Sequence, residues 1–301
     1  MTRAPTTPAD PRSPIRLGIA GLGLAGAMMI RAAVVHPRFV LAAGADPLPR
    51  PRAAFARDFN AVVYDDFAAM CADPTIEAVY IASPHEYHAE QAVAALAHGK
   101  HVLVEKPMAL TLADCDTVIA AADRADTHLI VGHTHAFDPS IRAIARMVRG
   151  GELGRLGMIV GFNYTDFLYR PRRPEELDTS RGGGIVFNQV THQIEIARLI
   201  GGGRVRSVRA NVGVLDPARP TEGNATVFLE FDDGAAATLT YSSYDFFDSD
   251  EFHGWVHEGG TDKPSGRQGQ TRAGYLSGVD TEQDRQKDLG YGGRVLPPEQ
   301  P

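Results

Sequence analysis

Cysteine is nearly absent: Cys71 and Cys115 are the only two in 301 residues. Two thiols so far apart make neither a disulfide framework nor the paired spacing of a zinc site, so reduced thiols in a cytoplasmic protein, with no metal, are expected. A block of positive charge is missing as well. Lys and Arg number 30 against 37 Asp and Glu, a formal net charge of -7, which excludes a surface built on neutralising nucleic-acid phosphates. No apolar run approaches the ~20 residues that cross a bilayer, so no membrane contact is expected either. The opening MTRAPTTPADPRSPIR contains prolines but no apolar core. That excludes a signal peptide or anchor and leaves residues 1–14 as a disordered leader. At this length the chain exceeds a comfortable single core, and two domains are expected.

What is present begins at Ile15. IRLGIA is a short apolar run ending in GLGLAG, and AMMIRAAVV follows with helical apolar spacing: strand, tight turn, helix. FVLAAGAD is the next strand. AVVY, EAVYIAS, HVLVEKP and HLIVGH repeat the strand signal, with helical patterns between them over 53–59, 66–72, 88–98 and 112–124. The alternation predicts an α/β fold whose N-terminal domain, residues 15–135, is a Rossmann-type doubly wound parallel sheet.

After Gly132 the grammar changes. A helix over 139–149 leads to GELGRLGMIVGFNYTDF, and VRSVRANVGVL, ATVFLEF, AAATLTYSSY and EFHGWVHE are strand-like runs with few helices between them. They predict a C-terminal α+β domain, residues 136–301, with a mostly antiparallel open sheet. Asp232-Asp233-Gly234 is a hairpin signal, and the one clear helix, 188–200, carries His192. An open sheet face of this kind commonly joins copies of a chain, so a homo-oligomer is expected.

The candidate chemistry sits at three places. Gly21, Gly23 and Gly26 follow the first strand and open a helix, where a pyrophosphate can approach backbone amides and the positive end of the helix dipole. Asp46 lies 20 residues after Gly26, the offset at which an acidic side chain meets the adenosine ribose hydroxyls. Its charge repels a 2′-phosphate and favours NAD over NADP, while Arg50 and Arg52 just downstream could reverse that preference. Lys106, in Glu105-Lys106-Pro107, ends a strand where a bound dinucleotide would present its nicotinamide; the plainer reading is a surface lysine. In GGGIVFNQVTH, Gly182-Gly183-Gly184 permits close approach of a ligand. Asn188 and His192 follow it four residues apart, on one helix face if the run is helical. Against this stand a core or capping histidine and a locally bonded asparagine.

Substrate contacts are read from YRPRRPEEL, which supplies Arg170, Arg172 and Arg173, with Arg181 next to the glycines. Arginine forks bind carboxylates bidentately. A solvated loop stiffened by Pro171 and Pro174, with Glu175 and Glu176 as partners, explains the same residues. His133 and His135 would face one side of a strand, as would His253 and His257; polar lining of a substrate cleft is preferred to a metal site. Phe252 and Trp255 read as sheet core rather than a substrate stack.

Between Ile15 and Gly260 the sequence resembles the Gfo/Idh/MocA family of NAD(P)-dependent oxidoreductases. The resemblance rests on the glycine fingerprint, SPHEYH at 83–88, the EKP triplet, VGHTHAFDP at 131–139, GELG at 151–154, and the triple glycine with its distal histidine. It implies that Gly21, Gly23, Leu24, Ala25, Gly26, Asp46, Ser83, Pro84, His88, Glu105 and Lys106 bind the cofactor, NAD in preference to NADP. It also implies that Lys106 and His192 flank the reacting hydroxyl of a small-molecule substrate, with Asn188 beside the histidine and Arg170, Arg172, Arg181 and His135 toward the substrate. Which of Lys106 and His192 is the base stays open. FNQVTHQIEIARLIGGG, the DPARPTEG run and YDFFDSDEFHGWVHEGG are similar to phthalate dihydrodiol dehydrogenases, which implies oxidation of a cis-dihydrodiol of an aromatic carboxylate to its catechol. A cyclitol or sugar dehydrogenase, or a non-catalytic dinucleotide-binding regulator, are the alternatives. Two departures from the family stand out. Asn188 replaces a common aspartate, which removes repulsion of an anionic substrate. From Gly266 onward the chain is polar and glycine-rich, without an apolar closing element, and reads as shorter than its family.

Overall fold

Uninterrupted burial marks the first two strands of the chain. Four consecutive residues of β1 (Ile15–Ala20) and five of β2 (Phe39–Ala45) are buried, as parallel strands covered on both faces must be. The computed structural model describes residues 13–257, 260–278 and 290–293. The chain divides into one unit made of Met1–Val131 with Asp288–Pro301, and a second, Gly132–Lys287. Apart from Ser13 and Pro14, the leader expected over 1–14 lies outside the described residues.

In the first unit, α1 (Leu24–Val35) follows β1, and α2 (Pro49–Phe59) separates β2 from β3 (Val62–Tyr64). Then come α3 (Phe67–Ala72), β4 (Ala78–Ile81), α4 (His88–Ala97), β5 (His101–Glu105), α5 (Leu112–Arg124) and β6 (Leu129–Gly132). The strands form one parallel sheet in the order β3-β2-β1-β4-β5-β6. The order reverses between β1 and β4, the switch point at which open α/β sheets bind ligands. Local chemistry sets the helix starts. Asp66 accepts from the Ala69 amide ahead of α3, and Thr111 accepts from the Asp114 amide ahead of α5. Pro49 fills the first turn of α2, which therefore starts earlier than the helix expected from Ala53, because proline fits a first turn that needs no donor. Val79, Ile81, Val102 and Val104 form the middle of one core layer with Ala92, Ala95 and Leu96 of α4; Leu17, Ile19, Ile30 and Phe55 anchor the other.

In the second unit, α6 (Pro139–Arg149), β7 (Met158–Tyr164), α7 (Thr191–Gly201), β8 (Val205–Gly213), β9 (Asn224–Phe231), β10 (Ala236–Ser242) and α8 (Gln270–Ser277) follow in order. Its sheet runs β7-β10-β9-β8. Two pairings are antiparallel and the β7–β10 pairing is parallel. β9 alternates: Ala225, Val227, Leu229 and Phe231 are buried with Ala197 of α7, and Phe228 points the other way. The hairpin signal at 232–234 joins β9 to β10, with Gly234 at φ 87°.

Four expectations are corrected. EFHGWVHE is not a strand: Ser249–His253 is a 3₁₀ turn, Gly254 and Trp255 both have positive φ, and only an isolated bridge, Val256 to Asp262, follows. The reason is side-chain capping, with Asp248 accepting from the Asp250 amide and the Lys263 ammonium bound to both carboxylates. His253 and His257 therefore share no strand face. Nor do His133 and His135, since β6 ends at Gly132 and Thr134–Phe137 is a 3₁₀ turn. The helix expected over 188–200 is two pieces, a π-turn at Val186–Val190 and then α7. The stretch after Gly266, expected to lack an apolar closing element, holds α8, none of whose residues is buried, with Tyr275 packed beside Leu168, Tyr169 and Tyr244.

Candidate functional site

The first unit gathers its candidate residues at the carboxyl ends of β1, β2, β4 and β5. Gly21 has φ 86°, and a Cβ there would fall 2.5 Å from the Ala82 carbonyl oxygen. A Cβ on Gly26 would fall 2.0 Å from the oxygen of Gly21, so both positions demand glycine. Gly23 differs. A Cβ there meets nothing within 4 Å, and Gly23, the residue that caps α1, offers no side chain to the first-turn amides around Leu24 and Ala25. Asp46 closes the arrangement: Oδ2 accepts from the Leu22 amide at 2.8 Å and Oδ1 from the Leu48 amide at 2.8 Å. An open glycine backbone, an uncapped helix N-terminus and a fixed carboxylate fit a dinucleotide.

Two buried side chains hold the rest of this rim. Tyr80 donates to Glu105 Oε1 at 2.5 Å, and burial, followed by the carboxylate's charge, raises the phenol's pKa so that it remains a donor. Glu105, expected to touch the cofactor, is thus braced directly before Lys106, whose peptide bond to Pro107 is cis. His88, also expected at the cofactor, is fully buried instead. Its Nδ1 lies 2.7 Å from the Pro107 oxygen and its Nε2 2.9 Å from the Ser83 oxygen. Burial keeps its pKa below the usual histidine value despite the two carbonyls. The ring therefore ties Ser83 to the turn after Lys106, and Ser83 Oγ in turn bonds Gln91 at 2.6 Å. Pro84 leads into the 3₁₀ turn His85–Tyr87.

The second unit brings His192 and His135 together. Their rings meet edge to face, 4.5 Å between centroids, and His135 Nδ1 lies 2.8 Å from Asp138 Oδ2. Asp138 escaped sequence reasoning; only its three-residue offset from His135 hinted at it. The other residue missed is Glu222, 4 % exposed. Its carboxylate accepts from Thr179 and Thr221 hydroxyls and from the Val186 amide, at 2.5, 3.0 and 3.2 Å. Gly184, at φ 74°, passes so close that a Cβ would fall 2.3 Å from Glu222 Oε1. That contact is the local reason for glycine here. Asn188 is buried in the π-turn and its amide donates to the oxygens of Gly184 and Gly182 at 2.7 and 3.3 Å.

The arginines are held by near neighbours. Arg172 lies 3.6 Å above the Phe167 ring, donates twice to the Phe167 carbonyl and pairs with Glu176 at 3.4 Å; burial lowers its pKa to about 10. Arg173 joins the same glutamate. Arg170 pairs with Asp166 at 2.8 Å and Arg181 with Glu175 at 3.8 Å, each with 45 % of its side chain exposed. Among the described residues no three His, Cys, Asp or Glu side chains group as a metal site, and no helix is long and apolar enough to cross a membrane.

Residues 15–133 match the oxidoreductase family profile described as an NAD-binding Rossmann fold, and residues 141–256 match the Gfo/Idh/MocA C-terminal domain. The 1-carboxy-3-chloro-3,4-dihydroxycyclohexa-1,5-diene dehydrogenase of Comamonas testosteroni is 47 % identical over 259 residues, covering 86 % of this chain and 65 % of that protein. The myo-inositol 2-dehydrogenase of Thermotoga maritima is 32 % identical over 184 residues, covering 60 % of this chain and 53 % of the relative. A crystal structure of a Bordetella bronchiseptica RB50 protein, provisionally named a dehydrogenase, superposes with a TM-score of 0.88 at 45 % identity, covering 93 % of this chain and 74 % of that one. The chain thus spans less than two thirds of the length of these two curated relatives.

Proposed function

The chain belongs to the Gfo/Idh/MocA family of oxidoreductases, with an NAD-binding Rossmann fold in its first unit, and from that premise we propose that it dehydrogenates a cis-dihydrodiol of an aromatic carboxylate. NAD supplies the acceptor for the hydride that leaves the carbinol carbon. In this reading His192 takes the hydroxyl proton, with the His135–Asp138 pair fixing the ring beside it, and the family resemblance gives Lys106 the polarising role. Loss of hydride and proton leaves a hydroxydienone, which tautomerises to the catechol; aromatisation drives the step. Arg170 and Arg181, half exposed, meet the substrate carboxylate, and the buried Arg172 braces the loop that carries them.

The observation that carries the reading is the His192, His135 and Asp138 cluster beside a glycine turn clamped by Glu222, supported by 47 % identity to a dihydrodiol dehydrogenase. The inositol dehydrogenase relative keeps a polyol substrate as the second reading. We propose further that the chain forms a homo-oligomer through the open face of its second sheet. The substrate test is NADH formation by the purified chain with the cis-dihydrodiols of phthalate and of chlorobenzoate, alongside myo-inositol. Turnover of a dihydrodiol alone is expected; turnover of inositol alone would replace the substrate class.

A further inference from the structure

We infer that the segment 290–293 is a discriminating wall of the dinucleotide site: it pins the glycine turn and holds Arg50, the side chain able to receive a 2′-phosphate, on a backbone carbonyl. The Tyr291 amide donates to the Leu22 oxygen at 2.9 Å. Leu22 is the residue between Gly21 and Gly23, and its own amide is held by Asp46. The peptide groups on either side of Leu22 are therefore fixed from two directions, one by the Asp46 carboxylate and one by this segment. Gly290 lies against the same turn, a Cβ there falling 3.8 Å from the Gly23 Cα.

The segment is seated by specific contacts. The Tyr291 ring packs 6.0 Å from Phe55 and 5.8 Å from Phe59 between centroids, and its hydroxyl donates to Asp58 at 2.9 Å. A Cβ on Gly292 would fall 2.7 Å from that of Ala54, so only glycine lets the chain lie this close to α2. The Gly292 oxygen then accepts from Arg50 Nη2 at 3.0 Å. Arg52 is committed too, donating to the Asp46 carbonyl at 2.6 Å. A pocket that takes NADP needs a guanidinium aimed at the 2′-phosphate, whereas here both arginines after Asp46 bind backbone carbonyls and the Asp46 carboxylate is fixed at the end of β2 by the Leu22 and Leu48 amides. Selectivity for a 2′-hydroxyl thus depends on a segment distant in sequence from the fingerprint.

Direct titration of NADH and NADPH binding to the full chain, by nicotinamide fluorescence without substrate, tests this separately from the proposed reaction. Tyr291→Ala is expected to weaken NADH roughly tenfold while NADPH weakens little or tightens, so that the preference for NADH falls at least about fivefold. Adding Arg50→Ala to Tyr291→Ala should restore the preference, because the released arginine is what receives the phosphate. Tyr291→Phe, which keeps ring and backbone contact, should retain the wild-type ratio. Equal weakening of both nucleotides in Tyr291→Ala would overturn the inference. Should Tyr291→Ala not fold, Arg50→Ala alone decides: an unchanged NADPH affinity agrees with an arginine already engaged, and a tenfold loss contradicts it.

Discussion

Position 188 needs an amide because of what faces it. The Asn188 side chain donates to two carbonyl oxygens of the triple-glycine turn, and a carboxylate in its place would set negative charge against both. The sequence reading tied this asparagine to substrate charge, and the nearer cause is the turn itself, which cannot be seen without knowing that the helix begins as a π-turn. Asn188→Asp, although it restores the residue common in the family, should therefore lower stability by roughly 1–3 kcal/mol in urea denaturation, the range for a buried group that loses its partner. A midpoint equal to wild type would show that the turn does not depend on that donor.

At the scale of elements, the loop from Asp166 to Arg181 holds its arginines on its own carboxylates, Glu175 and Glu176 among them, as the plainer reading of YRPRRPEEL expects. Burial works to raise the pKa values of Asp166 and Glu176, but the arginine partners outweigh it, and both are lowered from 3.8 and 4.5. A carboxylate with a depressed folded-state pKa contributes stability above its unfolded value and loses it as pH falls through the folded one. Glu176→Gln should then cost about 2 kcal/mol near neutral pH, because Arg172 loses its partner while only 13 % exposed. That difference from wild type should shrink as pH drops from about 4.5, where the glutamate of the unfolded chain takes up its proton, and vanish once pH falls through the lower value of the folded state. A gap that stays constant with pH would remove the ion pair from the account. Elements of this unit differed in legibility for a physical reason. β9 and β10 were readable because alternation and Asp232-Asp233-Gly234 are local, whereas the 249–257 stretch has strand-forming residues but is bent by Lys263 binding two aspartates, a partner chosen by the fold.

For the whole chain, the same divide separates what was readable at the site from what was not. The glycine turn, Asp46, Lys106 and His192 stood out because each is marked by short-range spacing: a strand end for the glycine turn and Lys106, a 20-residue offset from Gly26 for Asp46, and the preceding triple glycine for His192. Tyr80 behind Glu105, Glu222 under Gly184 and Tyr291 on Leu22 join residues 25, 38 and 269 positions apart, and nothing in their neighbourhoods marks them. The outer face of the second sheet was anticipated only in kind. Register sets Met158, Val160 and Phe162 of β7 beside Thr238 and Thr240 of β10, then Phe228 of β9 and Arg209 of β8. Met158 is 69 % exposed and Val160 59 %, and Phe252 packs on Phe162 to extend the apolar patch. A patch of this kind on a lone subunit invites association, and a second copy suits it because Arg209 and Glu230 give its margin both signs of charge, as a two-fold pairing of one surface with itself requires. Light scattering of the purified chain should report a dimer or larger, and Val160→Asp with Phe162→Asp should convert it to monomer while leaving NADH binding in the first unit intact. A wild-type chain that is monomeric at micromolar concentration would leave this face without the role assigned to it.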